Sequence, residues 1–320
     1  MAEKYAFLFP GQGAQAPGMI KDVADAFPSA NKTLDDISKV AGVDVKKILW
    51  ESTAQDLARS DNSQLAIAAA SLTLTAALKE KGIIPAAAMG FSLGEFPALY
   101  AAGVLSFEAT VKTVRNRGLI MQRVCEKIAT ENAGHAPGMT AVLGLPPDKV
   151  KEIAQGISEA YAANMNSVRQ TVVSGTATAL EAVEEAAKGA GAKRAVRLKV
   201  AGPFHCPLMQ EAADEFEAFL KDVEFADPSP SVALFSNVTG KRVTSGSEAK
   251  RNAVLHLTNP VLWTDEEANL FSLIEETGIE KWAALEVGPG KVLSGLWRDA
   301  GLATKLPPVA VGTSEAVSSL

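Results

Sequence analysis

The stretch AAAMGFSLGEFPALYAAG, residues 86–103, limits the possible folds more than any other part of the chain. Small apolar residues lead into it, a helix-forming run leads out, and Gly90-Phe91-Ser92-Leu93-Gly94 joins the two. A buried strand that turns into a helix within a few residues belongs to an α/β architecture, where strands feed helices that pack back onto the sheet. The pattern G-x-S-x-G is the tight turn that lifts a serine hydroxyl clear of the backbone. A side chain at either glycine would collide across so sharp a turn. The helix that follows points unpaired N–H groups at the serine, where an anionic intermediate would form. Serine and glycine are common in loops, so the pattern needs support from the rest of the chain.

The remaining residues bound the class of protein. A chain of 320 residues can hold one large α/β domain, or a large domain with a small one. No apolar run reaches membrane-spanning length. The start, MAEKYAFLFPGQG, lacks the basic region and cleavage site of a signal peptide and reads as a strand. Two cysteines, Cys125 and Cys206, make no disulfide framework, so a cytoplasmic location is expected. A net charge of −6 argues against a nucleic-acid partner. The two distant cysteines and three scattered histidines lack zinc spacing, so no metal site is expected.

Along the chain, residues 5–9 read as a buried strand ending at Pro10-Gly11, and residues 18–50 as helical with polar breaks. Residues 61–80 open with the capping types Asp61-Asn62-Ser63 and read as a helix ending at Lys81-Gly82. A strand over 83–89 precedes the glycine-bounded turn. Helices follow over 93–102 and from Ser106 to about 129, then a linker over 131–138. From 139 the texture changes. Strands over 139–145, 161–165, 170–174 and 194–198, with helices over 146–157 and 177–191, give the order β-α-β-β-α-β, the ferredoxin-like pattern. Beyond it come a helix over 207–222, a strand over 231–236, helices around 246–257 and 264–277, and a strand over 283–287. The expected fold is a large α/β-hydrolase-like core with a parallel sheet, formed by 1–127 and 200–320, plus a small inserted α+β subdomain, 128–199.

A nucleophilic serine needs a base within hydrogen-bond reach. The histidines are His135, His205 and His256. His135 sits in the Gly/Pro linker, where an idle exposed side chain is expected. His205, in VAGPFHCPLM, lies between a strand end and a helix start, the place where α/β enzymes gather site residues; it reads as catalytic or as structural. His256 lies near a helix end, before TNPVLW, and reads as a cap or a surface residue. No acidic residue after Ser92 lies in a loop that suggests a triad partner, and a main-chain carbonyl would fix a histidine tautomer equally well. FPGQGAQ, residues 9–15, reads as an active-site loop or as a plain turn. Glycines on either side of Gln12 let backbone N–H groups face a ligand. EVGPGKVLSGL, residues 286–296, lacks the phosphate-loop spacing and reads as a strand-to-helix turn. Arg117, in VRNRGLIMQ, is a surface arginine or a buried guanidinium in need of a carboxylate.

Together these segments resemble the malonyl-CoA:acyl-carrier-protein transacylases of type II fatty-acid synthesis and the acyltransferase domains of polyketide synthases. FPGQGAQ, GFSLGEF, RGLIMQ, GPFHCPLM, NPVLW and EVGPGKVLSGL occur in the family's order and spacing, from residue 9 to residue 296. The resemblance implies Ser92 as nucleophile and His205 as base, in a dyad whose histidine leans on a backbone carbonyl of the NPV-x-W region. It implies Arg117 as partner of the malonyl carboxylate, and the main-chain N–H groups of Gln12 and Leu93 as oxyanion donors. Phe204, before the histidine, implies malonyl over methylmalonyl, and His256 falls beside the substrate site. Two residues depart from the family: Phe91 stands where His is usual, and His256 where Gln is usual.

The implied reaction moves a malonyl group from malonyl-CoA to the phosphopantetheine thiol of acyl carrier protein, with no metal or redox cofactor. A cytoplasmic monomer is implied, with acyl carrier protein as its partner and no membrane or nucleic acid. Basic residues Lys193, Arg194 and Lys199 are candidate carrier contacts. Two alternatives use other chemistry. One is a serine hydrolase on the same scaffold, which an arginine chosen for a carboxylated acyl group disfavours. The other is a catalytically weak carrier-binding subunit, which an intact Ser92 and His205 disfavour.

Overall fold

A computed structural model describes residues 2–320. Among the described residues nine strands form two sheets: β1 (Lys4–Phe9), β2 (Pro85–Gly90), β3 (Gly138–Leu143), β4 (Ala160–Ser167), β5 (Gln170–Gly175), β6 (Arg194–Arg197), β7 (Ala233–Leu234), β8 (Trp282–Glu286) and β9 (Pro308–Ala310). The larger sheet has the order β7-β2-β1-β8-β9, and every pair in it is parallel. Parallel strands are covered on both faces, which is why β1 and β2 read as unbroken apolar runs. Alternate residues of β1 serve different cores. Phe7 and Phe9 join one apolar cluster, Ala6 and Leu8 another. The loops after β1, β2 and β8 leave from the carboxyl ends of neighbouring strands, where open α/β sheets bind ligands. They carry the Gln12, Ser92 and Gly288–Gly290 segments.

One helix, Ser60–Glu80, is buried nearly all round, with Ala, Leu and small hydroxyl residues on every face. It packs along the helix Phe107–Glu131. Gly118 permits that approach: a Cβ there would stand 2.8 Å from the Ser60 carbonyl oxygen. The contact brings Gln64 of one helix against Arg117 of the other.

The smaller sheet has the order β4-β5-β3-β6 and is antiparallel throughout. Numbered from its own first strand, this is the 4-1-3-2 order of the ferredoxin-like pattern, as the β-α-β-β-α-β sequence predicts. Helices Pro147–Gln155 and Ala177–Gly189 cover one face and bury Val142, Val150, Val173, Leu180 and Val183 with it. The other face turns Met139, Ala141 and Val172 into the large apolar cluster. The small sheet also joins the core through backbone, at the loop after the helix Gly246–Leu255: Met165 N–H donates to the Val261 carbonyl (2.9 Å), and Val261 N–H to that of Ala163 (2.8 Å).

The fold class is the expected one, with local differences. β7 is only two residues long, because β2 offers it pairing partners only at Ala87 and Ala88. β4 continues to Ser167, so Asn166 is a strand residue rather than the start of a turn, and it faces the same cavity as Asn164. The helix expected from 207 begins with a 3-10 turn, Pro207–Met209, and is α-helical only over Gln210–Leu220. The short helix Ala54–Ala58, capped reciprocally by Thr53 and Asp56, adds to the expected set, as do β9 and the helix Ser314–Ser318. Among the described residues no helix is long and apolar enough to cross a membrane, and no cluster of metal-ligating side chains occurs.

Candidate active site

β2 ends at Gly90, and the chain reverses into the 3-10 turn Ser92–Gly94 and the helix Glu95–Ala101. A Cβ at Gly90 would overlap the Gly94 carbonyl, and one at Gly94 would overlap that of Phe9. The motif's glycines are therefore steric necessities. Ser92 has φ 51°, in the left-handed region that residues with a Cβ seldom occupy. His205 does the same at φ 59°. Such conformations cost on the order of 1–3 kcal/mol each and persist where surrounding contacts over-determine them.

Ser92 Oγ lies 2.9 Å from His205 Nε2. His205 Nδ1 lies 2.7 Å from the His256 carbonyl oxygen. A carbonyl can only accept, so Nδ1 carries the proton and Nε2 presents a lone pair to the serine hydroxyl. No carboxylate bonds to His205 among the described residues. The orienting carbonyl belongs to His256 itself, three residues ahead of Asn259-Pro260. Burial pushes the His205 pKa down to about 4, helped by the Arg117 charge and opposed by the bond to the carbonyl. The imidazole is thus neutral and able to accept a proton at neutral pH.

Arg117 is buried, its guanidinium 5.5 Å from the centre of the Phe96 ring. Its Nη1 donates to Gln64 Oε1 at 2.7 Å. Among the described residues Nε and Nη2 donate to no protein group. Those two nitrogens form the side-on edge of a guanidinium, the edge that takes a carboxylate with two parallel bonds. Burial lowers the Arg117 pKa to about 10, opposed by the more distant Glu95 carboxyl, so the charge persists at neutral pH.

Gln12, Ser92, Leu93, Arg117, Phe204 and His205 line one cavity of about 200 Å³. Met121, Met139, Val172, Leu198, Val200 and Leu296 supply its apolar wall. Leu93 is in the first turn of the 3-10 segment, so its N–H has no partner within that turn. No hydrogen bond among the described residues uses the Gln12 backbone N–H. Phe204 lines this cavity, and its carbonyl accepts the Ser174 hydroxyl at 2.5 Å, tying the small sheet to the site. His205 also borders a second cavity of about 380 Å³, between the helix Pro147–Gln155 and the Pro207 and Pro260 turns.

The two departures from the family have distinct surroundings. Phe91 lines the cavity and packs edge-on against Trp263, ring centres 5.4 Å apart. His256 is fully buried and does not line the cavity. Its ring lies 4.9 Å from that of His205, tilted by 32°. His135 is exposed in the turn after the helix Phe107–Glu131.

With this geometry in view, comparison with known proteins identifies the scaffold. The acyl transferase domain family matches residues 6–282. The chain belongs to that family. A Bacillus subtilis malonyl CoA-acyl carrier protein transacylase is 36% identical over 318 residues, 98% of this chain and 95% of the relative. The Escherichia coli K12 protein of that description is 35% identical over 297 residues, 92% of this chain and 91% of the relative. The solved Coxiella burnetii transacylase superposes with a TM-score of 0.89 at 29% identity, covering 100% of this chain and 97% of that one. A type II polyketide malonyl-transacylase, solved in complex with its acyl carrier protein, superposes at 0.86 with 34% identity, covering 99% and 98%.

The acyltransferase site also contains residues that the sequence reading passes over. Asn164, Asn166 and Gln170 line the Ser92 cavity from β4 and β5. The polar-apolar-polar triplet Asn164-Met165-Asn166 was the available signal, since alternate strand residues share a face. Asn237 donates and accepts beneath the Ser92 turn. Its signal was a polar pair, Ser236-Asn237, at the carboxyl end of a strand.

Proposed function

We propose that the chain transfers a malonyl group from malonyl-CoA to the phosphopantetheine thiol of acyl carrier protein through an ester on Ser92. The observation that carries this reading is the free Nε–Nη2 edge of Arg117, a buried cation lining the same cavity as the Ser92–His205 pair. A buried charge with unused donors is costly, and a malonyl carboxylate is the ligand that would satisfy it. The names of the relatives, and the carrier-bound solved structure, support the same substrates.

In the first half-reaction Ser92 Oγ attacks the thioester carbonyl and His205 Nε2 takes the hydroxyl proton. The Gln12 and Leu93 N–H groups receive the oxyanion. The C–S bond breaks and the coenzyme A sulfur leaves with the proton from His205. In the second half the pantetheine thiol gives its proton to His205 and attacks the ester carbonyl. The C–O bond then breaks, and Ser92 recovers its proton. Every step is a proton or acyl transfer, which these residues can carry without a metal or redox group. The apolar wall keeps water from the ester between the halves.

Residues 128–199 and the remaining core are proposed as two units flanking this cleft. The exposed Lys193, Arg194 and Lys199 are proposed contacts for an acidic carrier surface. Intact-mass spectrometry after malonyl-CoA treatment tests the central step. The wild type should gain one malonyl mass and Ser92→Ala none; an adduct persisting in Ser92→Ala refutes the nucleophile assignment.

A further inference from the structure

Polar contacts continue beyond the dyad into the interior. The Ser92 N–H donates to Asn237 Oδ1 at 2.7 Å. Asn237 Nδ2 donates to the Gly90 carbonyl at 2.5 Å and to Glu266 Oε1 at 2.8 Å. The Asn237 N–H donates to Glu95 Oε2 at 3.3 Å, and that oxygen lies 3.6 Å from His256 Nδ1. The His256 carbonyl accepts from His205, which contacts Ser92. The hydrogen bonds thus run from Ser92 through Asn237 to Glu95 on one side and through His205 to the His256 backbone on the other, and the His256 ring approaches Glu95 without bonding to it. Asn237, His256, Glu95 and Glu266 are all at most 3% exposed.

The chemistry of each group fixes its direction. An N–H only donates and a carbonyl only accepts, so Ser92 and Gly90 together determine which end of the Asn237 amide faces each. Both amide hydrogens and the amide oxygen are then in use. Asn237 spans the turn from its last strand residue to its nucleophile, where Ser92 sits in a conformation that neighbouring contacts must enforce. Glu266 gives the amide its seat. Among the described residues no cation bonds to Glu266, and the charges that act on it are the carboxyls of Glu95, Glu267 and Asp265. Burial, and then those carboxyls, raise its pKa well above 4.5. A glutamine amide is its isostere.

We propose that Asn237, seated on Glu266, is a positioning residue that holds the Ser92 turn against His205. It touches neither substrate nor the transferred proton. Its effect is on the placement of Ser92 Oγ against His205 Nε2, where an error of about 1 Å costs on the order of 100-fold in rate.

The inference rests on the Ser92–His205 reading, and the experiment separates the two. The full chain is used throughout. Wild type, Ser92→Ala, Asn237→Ala, Glu266→Gln and Glu266→Leu are mixed with malonyl-CoA, and adduct formation is followed by quenched-flow intact-mass spectrometry. Thermal melts check the fold. Asn237→Ala should lower the maximal acylation rate about 10- to 100-fold, with the half-saturating malonyl-CoA concentration within about twofold of wild type. Glu266→Gln should acylate within about threefold of wild type, and Glu266→Leu about tenfold slower, because only glutamine keeps an acceptor for Asn237. A wild-type rate in Asn237→Ala overturns the proposal. So does a loss confined to half-saturation, or equal losses in the two Glu266 variants. Should Asn237→Ala and Glu266→Leu not fold, Glu266→Gln decides alone, and a tenfold loss there overturns the proposal. An adduct on Ser92→Ala overturns the dyad reading instead.

Discussion

Replacing Arg117 with alanine should change acyl-group choice and leave the fold intact. In the native protein the guanidinium is anchored by one bond to Gln64 and lies over Phe96, with Nε and Nη2 unspent. A malonyl carboxylate would take both. Each hydrogen bond to a charged group contributes roughly 1.5–3 kcal/mol. Losing two therefore costs about 3–6 kcal/mol, and at about 1.4 kcal/mol per tenfold this is two to four orders of magnitude in kcat/KM for malonyl-CoA. Acetyl-CoA has no carboxylate to strand, so its kcat/KM should hold or rise. Stability should move the other way. The unliganded protein buries a cation with two unused donors, as the drop in its pKa to about 10 reflects, so its removal should not lower the melting temperature. The assay is kcat/KM for both thioesters, in wild type and Arg117→Ala, with melts alongside. Equal losses for both substrates, or a large fall in melting temperature, would make Arg117 a structural residue and refute this reasoning.

His205→Ala should slow acylation by about 10² to 10⁴, the usual worth of a general base, and no single Asp or Glu substitution after Ser92 that leaves the protein folded should match it through loss of a triad acid. The His205 pKa is held down to about 4, so the base is neutral above that value, and the acid limb of kcat/KM for acylation should lie well below pH 6.5. At pH 5.5 about 97% of the imidazole would be neutral, against about 9% for an unshifted group, so half-loss near pH 6.5 contradicts the burial argument. Charge reversal at Lys193, Arg194 or Lys199 should raise KM for carrier protein and leave that for malonyl-CoA unchanged; an unaltered carrier KM removes that surface from the docking reading.

The parts of the site that were legible in sequence are those where backbone geometry demands a residue type. The glycines around Ser92 are required because a Cβ at Gly90 or Gly94 would overlap a carbonyl. The parallel sheet was legible because strands buried on both faces, such as Phe7–Phe9, are apolar without alternation. Arg117 could be singled out from its mostly apolar neighbours, but its partner Gln64 could not. That partner lies 53 residues away on a helix whose close approach depends on Gly118. The Asn237–Glu266 seat was hidden for the same reason: it unites residues 29 apart in sequence, and Asn237 with Gly90, 147 apart. Single-residue patterns carry no record of such pairings.

The substitution at His256 separates what a side chain must supply from what the backbone supplies regardless. The contact that orients His205 uses the His256 carbonyl, and any L-residue with the same backbone offers that oxygen. The side chain must only fit the buried space beside His205 without adding a charge there. The imidazole meets both conditions. Its ring lies 4.9 Å from His205, and burial, then His205 and Arg117, hold its pKa well below 6.5. A neutral ring leaves the charge balance around the base as an amide would. Glu95 Oε2 lies 3.6 Å from His256 Nδ1, and a neutral ring forms no ion pair with it. Replacement by an isosteric neutral side chain should therefore preserve the base, whereas a permanent cation at 256 would lower the affinity of His205 for the serine proton.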